Sequence, residues 1–130
     1  MSDCIFCKIV KREIPCMKIY EDENFLSFVD IQPLSIGHTL IIPKKHFAWM
    51  QEANDKTIAD IFKLSKKLML AIKSALGCDY VQLSVIGKDV QHFHIHLIPR
   101  NLDDDLHQFA IKKYKDEEKE EVAKKIIQAL

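Results

Sequence analysis

Apolar residues recur along the chain with two different periods, and the change of period divides the chain into strands and helices. Alternation of apolar and polar residues is typical of a strand, whereas a spacing of three to four residues is typical of an amphipathic helix. The pattern predicts helices over residues 4–11, 55–76 and 116–130, and strands over residues 17–20, 25–29, 38–42, 81–86 and from about 90 to 100.

Turn-forming residues separate these elements. The charged run 21–24 joins the first two strands as a hairpin, and Pro33 and Gly37 mark a loop before the third strand. Gly77 ends the long helix, and the short turn 87–89 predicts an antiparallel hairpin between the last two strands. The apolar side of the terminal helix predicts that this helix docks on the domain; its members are Val122, Ile126, Ile127 and Leu130.

The last predicted strand carries three of the six histidines of the chain. Because side chains of a strand alternate between its faces, His92, His94 and His96 are expected on one face, about 6 to 7 Å apart. The apolar residues that follow each of them then face the core; they are Phe93, Ile95 and Leu97. Burying a row of imidazoles costs free energy unless the rings are paired or bind a ligand, so this face is predicted to be a functional site.

Length and charge restrict the class of protein. A chain of 130 residues is expected to form one domain with a single core. Its 19 basic and 19 acidic residues balance, which argues against a nonspecific nucleic-acid binder and against a membrane-surface protein. No apolar run approaches the ~18 residues of a membrane span, and the first residues do not resemble a signal peptide. We therefore expect a cytoplasmic protein.

Four cysteines are few for a disulfide scaffold, and two of them form a Cys-x-x-Cys pair at Cys4 and Cys7. Asp3 is available to cap the short helix that contains the pair. A thioredoxin-like redox motif would follow a strand, and no predicted strand precedes this pair. The remaining interpretations are half of a zinc site and two buried apolar thiols.

Two kinds of chemistry use a row of histidines. Imidazoles on one strand face bind a catalytic zinc whose water is the nucleophile. Alternatively, one imidazole attacks phosphorus and forms a covalent intermediate. The spacing of the three histidines does not separate these hypotheses. Of the other histidines, His38 and His46 flank the third strand, and His107 belongs to no group.

Residues 92–98 have the sequence HFHIHLI, which resembles the signature of the histidine triad (HIT) family, three histidines each followed by an apolar residue. Further blocks look like those of bacterial-type, zinc-containing members and follow in the same order; they are residues 4–9, 14–15, 20–22, 28–31 and 37–46. The resemblance covers about residues 3–100 of a single domain over 1–130. The remainder is a C-terminal loop and helix.

The resemblance implies an α+β fold of the HIT type, with an antiparallel sheet of about five strands and one long helix. The predicted fold also has a short N-terminal helix and a C-terminal helix. The resemblance also implies a homodimer and a nucleotide substrate that yields an AMP-type product. The middle histidine, His94, is expected to attack the α-phosphate and become nucleotidylated, after which water releases the nucleoside monophosphate. His96 would donate to the phosphate or to the leaving atom, and His38 would support the nucleophile.

The same resemblance implies further site residues. Asp30 is the expected ribose ligand, since a carboxylate accepts from both ribose hydroxyls. An apolar slot for the base is implied at Phe6, Ile9, Phe28 and Ile31. The implied metal is a structural zinc, because two thiolates and two imidazoles form a closed tetrahedral set. Its ligands would be Cys4, Cys7, His46 and His92.

The turn before the triad departs from the family, in which an asparagine and a longer glycine-rich segment help to bind phosphate. Here the candidates are Gly87, Lys88 and Asp89, and Asp89 stands where relatives often carry a hydroxyl. A carboxylate repels phosphate unless a cation compensates. The leading hypothesis is a hydrolase of dinucleoside polyphosphates or nucleoside phosphoramidates. The alternative is a nucleotide-binding or scaffold module with little turnover.

Overall fold

The computed structural model describes residues 3–105 and 110–130, so that His107, to which the sequence assigned no role, lies outside the described part. The described helices are α1 (Ile5–Val10), α2 (Asp55–Leu76) and α3 (Glu118–Ala129), with a 3-10 turn at Met50–Glu52. The strands are β1 (Lys18–Glu21), β2 (Phe25–Val29), β3 (Thr39–Pro43), β4 (Tyr80–Ser84) and β5 (Ile95–Arg100). None of these helices is both long and apolar enough to cross a membrane.

The five strands form one antiparallel sheet in the order β1-β2-β3-β5-β4, as expected for the predicted α+β fold. The last two strands are antiparallel neighbours, which confirms their predicted pairing. Their connection is not the predicted short turn, because it extends over residues 85–94. Phe93 leaves the sheet ladder here and donates its backbone N–H to the carbonyl of Phe47 at 2.6 Å. The predicted strand start near residue 90 is therefore wrong, and β5 begins at Ile95.

Apolar side chains cover both faces of the sheet. Helix α2 packs on one face, where Phe93, Ile95 and Leu97 are buried as predicted. The other face carries a second apolar cluster that α1 helps to cover; its members are Phe6, Ile9, Leu26, Phe28, Leu40 and Ile42. His96 pairs in register with Leu40, so its side chain lies on the face of this second cluster.

The helix ends show how the sequence sets the boundaries. Asn54 caps α2 by accepting the N–H of Thr57 at 2.8 Å, and Gly77 ends it in the left-handed conformation with φ of 68°. Both ends of this helix are those predicted. At α1 the predicted cap was wrong, because the Sγ of Cys4, and not Asp3, accepts the N–H of Cys7 at 3.3 Å. The first cysteine of the pair is therefore also the cap.

The terminal helix α3 is amphipathic but exposed. None of its residues is buried, and Ile126 and Ile127 are 58% and 65% exposed. The predicted docking of this helix on the domain is therefore wrong for the described residues. The apolar pattern identifies which side of a helix can be buried, and it does not show that the same chain supplies a surface to receive that side.

Candidate active site and metal centre

The three histidines of the signature are divided between two neighbouring clusters. His92 and His94 precede β5 and only His96 lies within it, so the prediction that one strand carries all three is wrong. The predicted alternation of faces is kept, because Phe93 is buried on the α2 face and the ring of Phe6 contacts both His92 and His94 on the other. The ring of His92 turns toward His46, with 4.8 Å between the ring centroids. The rings of His94 and His96 lie side by side, also 4.8 Å apart. One histidine thus joins the cysteines, and two form a separate pair.

The proton of His94 is fixed on one nitrogen by the backbone. Its Nδ1 lies 2.6 Å from the carbonyl oxygen of His92, which can only accept, so Nδ1 carries the proton and Nε2 keeps a lone pair. The edge of the Phe6 ring packs against this imidazole at 5.0 Å between centroids. Burial lowers the pKa of His94, although the His92 carbonyl and nearby carboxylates oppose that shift. The ring is therefore a neutral imidazole with a defined lone pair, which is the state that a nucleophile requires.

His38 and His96 form a directed hydrogen-bond chain beside His94. The backbone N–H of Leu34 donates to Nδ1 of His38 at 3.0 Å, so the proton of His38 lies on Nε2. That nitrogen is 2.9 Å from Nδ1 of His96, which accepts from it. The proton of neutral His96 is then on Nε2.

This Nε2 of His96 is buried and has no hydrogen-bond partner among the described residues. A buried donor without a partner costs about 1 to 3 kcal/mol, so it marks a place where a ligand acceptor fits. Burial lowers the pKa of His96 to about 4, and the neighbouring His94 and His38 contribute to the shift. The ring thus offers one N–H to a phosphoryl oxygen or leaving atom placed between His94 and His96.

Asp30 follows β2 and approaches the same chain of histidines. Its Oδ1 accepts the N–H of Gln32 at 2.9 Å, and its Oδ2 lies 3.5 Å from Nε2 of His38. Its backbone N–H donates to the carbonyl of His38, which ties the loop to β3. The carboxylate is partly exposed and keeps acceptor capacity for the ribose hydroxyls that the family resemblance assigns to it.

The predicted base slot is only partly assembled. Phe6, Ile9 and Phe28 are buried in one cluster, and the rings of Phe6 and Phe28 meet edge to face at 5.7 Å. Ile31 is 92% exposed on the loop after Asp30. Three of the four side chains therefore form a wall of the apolar core next to His94, and the fourth is a surface residue in this structure.

Two cysteines and two histidines meet beside the pair of His94 and His96, as the resemblance implied. The Sγ of Cys4 lies 3.3 Å from Nδ1 of His92, and the Sγ of Cys7 lies 3.3 Å from Nδ1 of His46 and 3.6 Å from Nδ1 of His92. All four donor atoms lie within 4.8 Å of one another. Donors 2.0 to 2.3 Å from a tetrahedral zinc are about 3.3 to 3.8 Å apart, so the set fits zinc.

The tautomer of His92 supports a zinc site at this cluster. Its Nε2 donates to the carbonyl of Pro43 at 2.8 Å, which leaves Nδ1 without a proton and aimed at the cysteines. Burial and the interaction with Cys4 raise the pKa of Cys7 to about 11, so without a cation the thiol is protonated at neutral pH. A bound zinc would reverse this by stabilising the thiolate. The cluster therefore has the donors and the orientation of a closed structural site.

The turn before the triad is anchored at both ends. A Cβ added to Gly87 would overlap the ring of Trp49, so the backbone lies directly against that ring. At the other end His92 is held by Pro43 and the cysteines. Lys88 and Asp89 are exposed between these two anchors, and the charge of Asp89 acts on both His94 and His96.

Several partners in this site were not predicted from the sequence. The carbonyls of Pro43 and His92 and the N–H of Leu34 set three imidazole orientations, yet backbone groups leave no signal in residue identity. Trp49, three residues after His46, could have been considered as a partner of the turn because it is the single tryptophan of the chain. Its contact with Gly87 depends on tertiary packing.

Comparison with known proteins agrees with the geometry. The HIT domain profile matches residues 11–103. The adenosine 5'-monophosphoramidase of Schizosaccharomyces pombe is 46% identical over 101 residues, which are 75% of this chain and 74% of that protein. A HIT family structure from Bacillus subtilis superposes with a TM-score of 0.85 at 34% identity, covering 98% of this chain and 97% of that one.

A second solved structure relates to the metal centre. It is a zinc-bound histidine triad protein from Mycobacterium smegmatis, with a TM-score of 0.76 and 31% identity, covering 99% of each chain. The family profile extends over well more than half of the chain, and the relatives share both sequence and fold along most of its length. The chain therefore belongs to the histidine triad (HIT) family.

Proposed function

We propose that this chain is a nucleotide hydrolase that cleaves at an α-phosphate through a nucleotidyl intermediate on His94. The observation that carries the proposal is the fixed proton on Nδ1 of His94, which leaves Nε2 as a neutral nucleophile in a buried site. The similarity to an adenosine 5'-monophosphoramidase supports a nucleoside phosphoramidate as substrate. Dinucleoside polyphosphates are the other candidate class.

The residues divide the reaction into two displacements. In the first, Nε2 of His94 forms a bond to phosphorus while the bond from phosphorus to the leaving atom breaks. The negative phosphoryl group favours the doubly protonated imidazolium of His96, which gives its Nε2 proton to that atom and is left as a neutral ring. In the second, water replaces His94 on phosphorus, and a proton returns to His96. The nucleoside monophosphate is released, and Asp30 holds its ribose throughout.

Zinc would supply no step of this chemistry. Held by Cys4, Cys7, His46 and His92, it would fix the end of α1 to the segment that carries His94. Since His94 donates to the carbonyl of His92, a fixed His92 also fixes the ring of the nucleophile. We assign the metal a structural role on this ground.

The decisive experiment compares wild type with His94→Ala on adenosine phosphoramidates and diadenosine polyphosphates. Wild type is expected to release AMP, and intact-mass measurement after an acid quench should detect one nucleotidyl group on His94. The variant should lose the adduct and at least about a thousandfold in kcat/KM. Undiminished hydrolysis by the variant would exclude the covalent route. Equal zinc content and AMP binding in both proteins would show that the variant is folded.

A nucleotide-binding module with little turnover is the second candidate, favoured by the carboxylate of Asp89, whose negative charge acts on His94 and His96 and opposes binding of a phosphate there. Calorimetric titration with AMP alongside the turnover assay separates the two. Clear AMP binding without turnover of any substrate supports the binding module, whereas turnover supports the hydrolase.

The homodimer and the cytoplasmic location implied earlier remain predictions. Strand β4 lies at the edge of the sheet, and Tyr80, Val85 and Ile86 on or just after it are 38% to 45% exposed. An edge strand with exposed apolar residues is suited to pairing with a second copy. Light scattering in solution would measure the oligomeric state directly.

A further inference from the structure

Cys4 and Cys7 lie three residues apart at the start of α1, and their sulfurs are close together. The Sγ of Cys4 accepts the backbone N–H of Cys7 at 3.3 Å, so the side chain of Cys4 lies over the first turn of the helix. Both sulfurs also contact Nδ1 of His92, Cys4 at 3.3 Å and Cys7 at 3.6 Å. The donor atoms of the cluster lie within 4.8 Å of one another, so the fold holds the two sulfurs as neighbours.

A disulfide between these two residues fits the backbone. It requires the two Sγ atoms to close to about 2 Å and the two Cβ atoms to about 4 Å. Residues three apart on a helix have Cβ atoms about 5 to 6 Å apart, so little closure is needed. Cys4 is the N-cap, with φ of −75° and ψ of 114°, and its own N–H takes no part in the helix. Rotation of its side chain with a small shift of its backbone therefore brings the sulfurs together.

The two thiols differ in their access to solvent. Cys4 is partly exposed and, with His46, lines an open groove of about 510 Å³. A molecule as small as a peroxide fits this groove and reaches the sulfur of Cys4. Cys7 is buried. An oxidant therefore meets Cys4 first, and the thiol next to it is that of Cys7.

The other two cysteines lack this arrangement. Cys78 is buried in the apolar cluster beneath α2. Cys16 is partly exposed like Cys4, but it belongs to no cluster of possible metal ligands among the described residues. Exposure alone thus does not distinguish Cys4 from Cys16, whereas the neighbouring thiol does. A sulfenic acid formed on Cys4 can be resolved to a disulfide by Cys7.

We infer that Cys4 and Cys7 are a redox-modification site, at which a peroxide converts the pair to a disulfide and thereby releases the zinc. The inference concerns the metal cluster, and only its effect on turnover rests on the proposed function. In the zinc-loaded cluster both sulfurs are thiolates, the form that reacts with peroxides. A disulfide offers no thiolate to the metal, which leaves His46 and His92 as the remaining ligands of the set.

The oxidation takes place in two steps at sulfur. The thiolate of Cys4 attacks one oxygen of hydrogen peroxide, the O–O bond breaks and hydroxide leaves, so that Cys4 becomes a sulfenic acid. The thiolate of Cys7 then attacks this sulfur, the S–O bond breaks and a second hydroxide leaves as the disulfide forms. The pair of sulfurs loses two electrons, and these reduce the peroxide to two hydroxide ions. A thiol reductant reverses the reaction by exchange.

Loss of the metal would act on the nucleophile through His92 and α1. The carbonyl oxygen of His92 lies 2.6 Å from Nδ1 of His94, and the ring of Phe6 on α1 packs against both histidines. The loaded cluster ties α1 to His92, and the disulfide removes this tie. We therefore expect the ring of His94 to be less well positioned in the oxidised protein, so that kcat falls.

The test treats the zinc-loaded protein with a graded series of hydrogen peroxide and stops the reaction with catalase. Released zinc is measured with a chromogenic chelator, and the remaining thiols are alkylated in denaturant before intact-mass measurement and peptide mapping. We expect a disulfide between Cys4 and Cys7, one zinc released for each disulfide, and alkylation of Cys16 and Cys78 only. Reductant followed by zinc should restore the loaded protein. Cys16→Ser is the matched control and should behave like wild type.

Dimedone, which traps sulfenic acids, tests the order of the two steps. Added during oxidation, it should label Cys4 in preference to Cys7 in wild type, and the label should increase at least about threefold in Cys7→Ser, where no thiol resolves it. Retention of zinc and of all four thiols under conditions that oxidise free glutathione would overturn the inference. Zinc release without the disulfide would overturn it as well.

The effect on turnover is measured separately on an adenosine phosphoramidate. In the oxidised protein kcat should be at least about tenfold lower and should recover after reduction and addition of zinc. An unchanged kcat would contradict the link from the cluster to His94. Wild type that turns over no substrate would overturn the proposed function, whereas the zinc and disulfide measurements would still decide the inference.

Discussion

Nε2 of His38 lies 2.9 Å from Nδ1 of His96, and this contact determines which nitrogen of His96 carries its proton. His38 can donate there because its own Nδ1 already accepts from the backbone of Leu34. This chain of hydrogen bonds ends at Nε2 of His96, a buried donor that has no partner in the described part of the protein. A backbone amide at one end thus prepares a hydrogen-bond donor for substrate at the other.

Removing His38, the middle member of this hydrogen-bond chain, should lower kcat more than it weakens substrate binding. In His38→Ala, His96 loses the donor to Nδ1, so both tautomers of its ring become accessible and only one presents a proton to substrate. We expect kcat to fall about 10- to 100-fold with a smaller change in KM. Nitrogen NMR of His96 would show mixed tautomers in the variant and a single tautomer in wild type. A variant with normal kcat would contradict this role.

Acid should destabilise the protein through His96. Its folded pKa of about 4 lies below the ordinary value of 6.5, so between these pH values the unfolded chain binds the proton more strongly. Stability is therefore unaffected by this group above about pH 6.5 and is lost as pH falls toward 4. The loss from His96 alone is on the order of 2 to 3 kcal/mol.

The measurement is urea unfolding of wild type and His96→Gln from pH 7.5 to 4. The groups that act on His96 are His94, His38, Asp30 and Asp89, and all of them remain in the variant. Protonation of the cysteine and histidine cluster also contributes in both proteins, so the difference between the two curves isolates His96. The variant should lose less stability below pH 6.5. Parallel curves would show that the ring is not held neutral.

Zinc binding should require the two amino-terminal cysteines, Cys4 and Cys7. Cys4→Ser/Cys7→Ser removes both thiolates from the cluster, and the protein should then contain far less than one zinc per chain and have a lower Tm. Cys16→Ser is the matched control, because Cys16 is a free cysteine outside the cluster and its replacement should leave zinc content unchanged. Metal analysis of purified protein checks both.

The same experiment addresses the alternative that the signature histidines bind a catalytic zinc. That hypothesis predicts that zinc is held by His94 and His96, so a full equivalent of metal should remain in the double cysteine variant. The orientation of His92 favours the opposite result, since its unprotonated nitrogen faces Cys4 at 3.3 Å.

Contacts that depend on side-chain identity could be predicted from the sequence, whereas contacts made by backbone groups could not. The family resemblance, and not residue identity alone, implied the set of Cys4, Cys7, His46 and His92, and the fold brings their donor atoms together. The bounds of helix α2 were predicted, because its apolar period and the stop at Gly77 agree; the cap at Asn54 was not predicted.

Alternation alone predicted a strand that is too long at the triad. Residues 92–97 alternate between histidine and apolar residues, and Phe93, Ile95 and Leu97 are indeed buried on the α2 face. The backbone N–H of Phe93 nevertheless donates to the carbonyl of Phe47 outside the sheet, so His92 and His94 do not belong to β5. A pattern of side chains cannot show which backbone groups pair, and here that pairing places His92 among the cysteines and His94 beside His96.

The contact of Gly87 with Trp49 should stabilise the conformation of the turn that carries Asp89. In Gly87→Ala the new methyl group overlaps the indole ring, and we expect a loss of about 1 to 3 kcal/mol of stability. Trp49→Ala opens space, so the loss caused by Gly87→Ala should be smaller in that background, and a double-mutant cycle from urea unfolding followed by circular dichroism measures the coupling. Additive losses would mean that the two residues do not meet. Trp49 is the sole tryptophan of the chain, so its emission spectrum also reports the change in Gly87→Ala.

Asp30 is placed either to orient His38 or to bind the ribose, and two substrates distinguish these roles. Its Oδ2 is 3.5 Å from Nε2 of His38, so it could orient that ring, whereas the family resemblance assigns it to the ribose. If it binds ribose, Asp30→Ala should raise KM about 10-fold or more for a ribonucleoside phosphoramidate and change little for the 2',3'-dideoxy analogue, which has no hydroxyls to donate. If it orients His38, kcat should fall equally for both substrates. The shorter contact of His38 with His96 favours the ribose role, because the proton of His38 is already engaged at 2.9 Å and the carboxylate remains free to accept from a ligand.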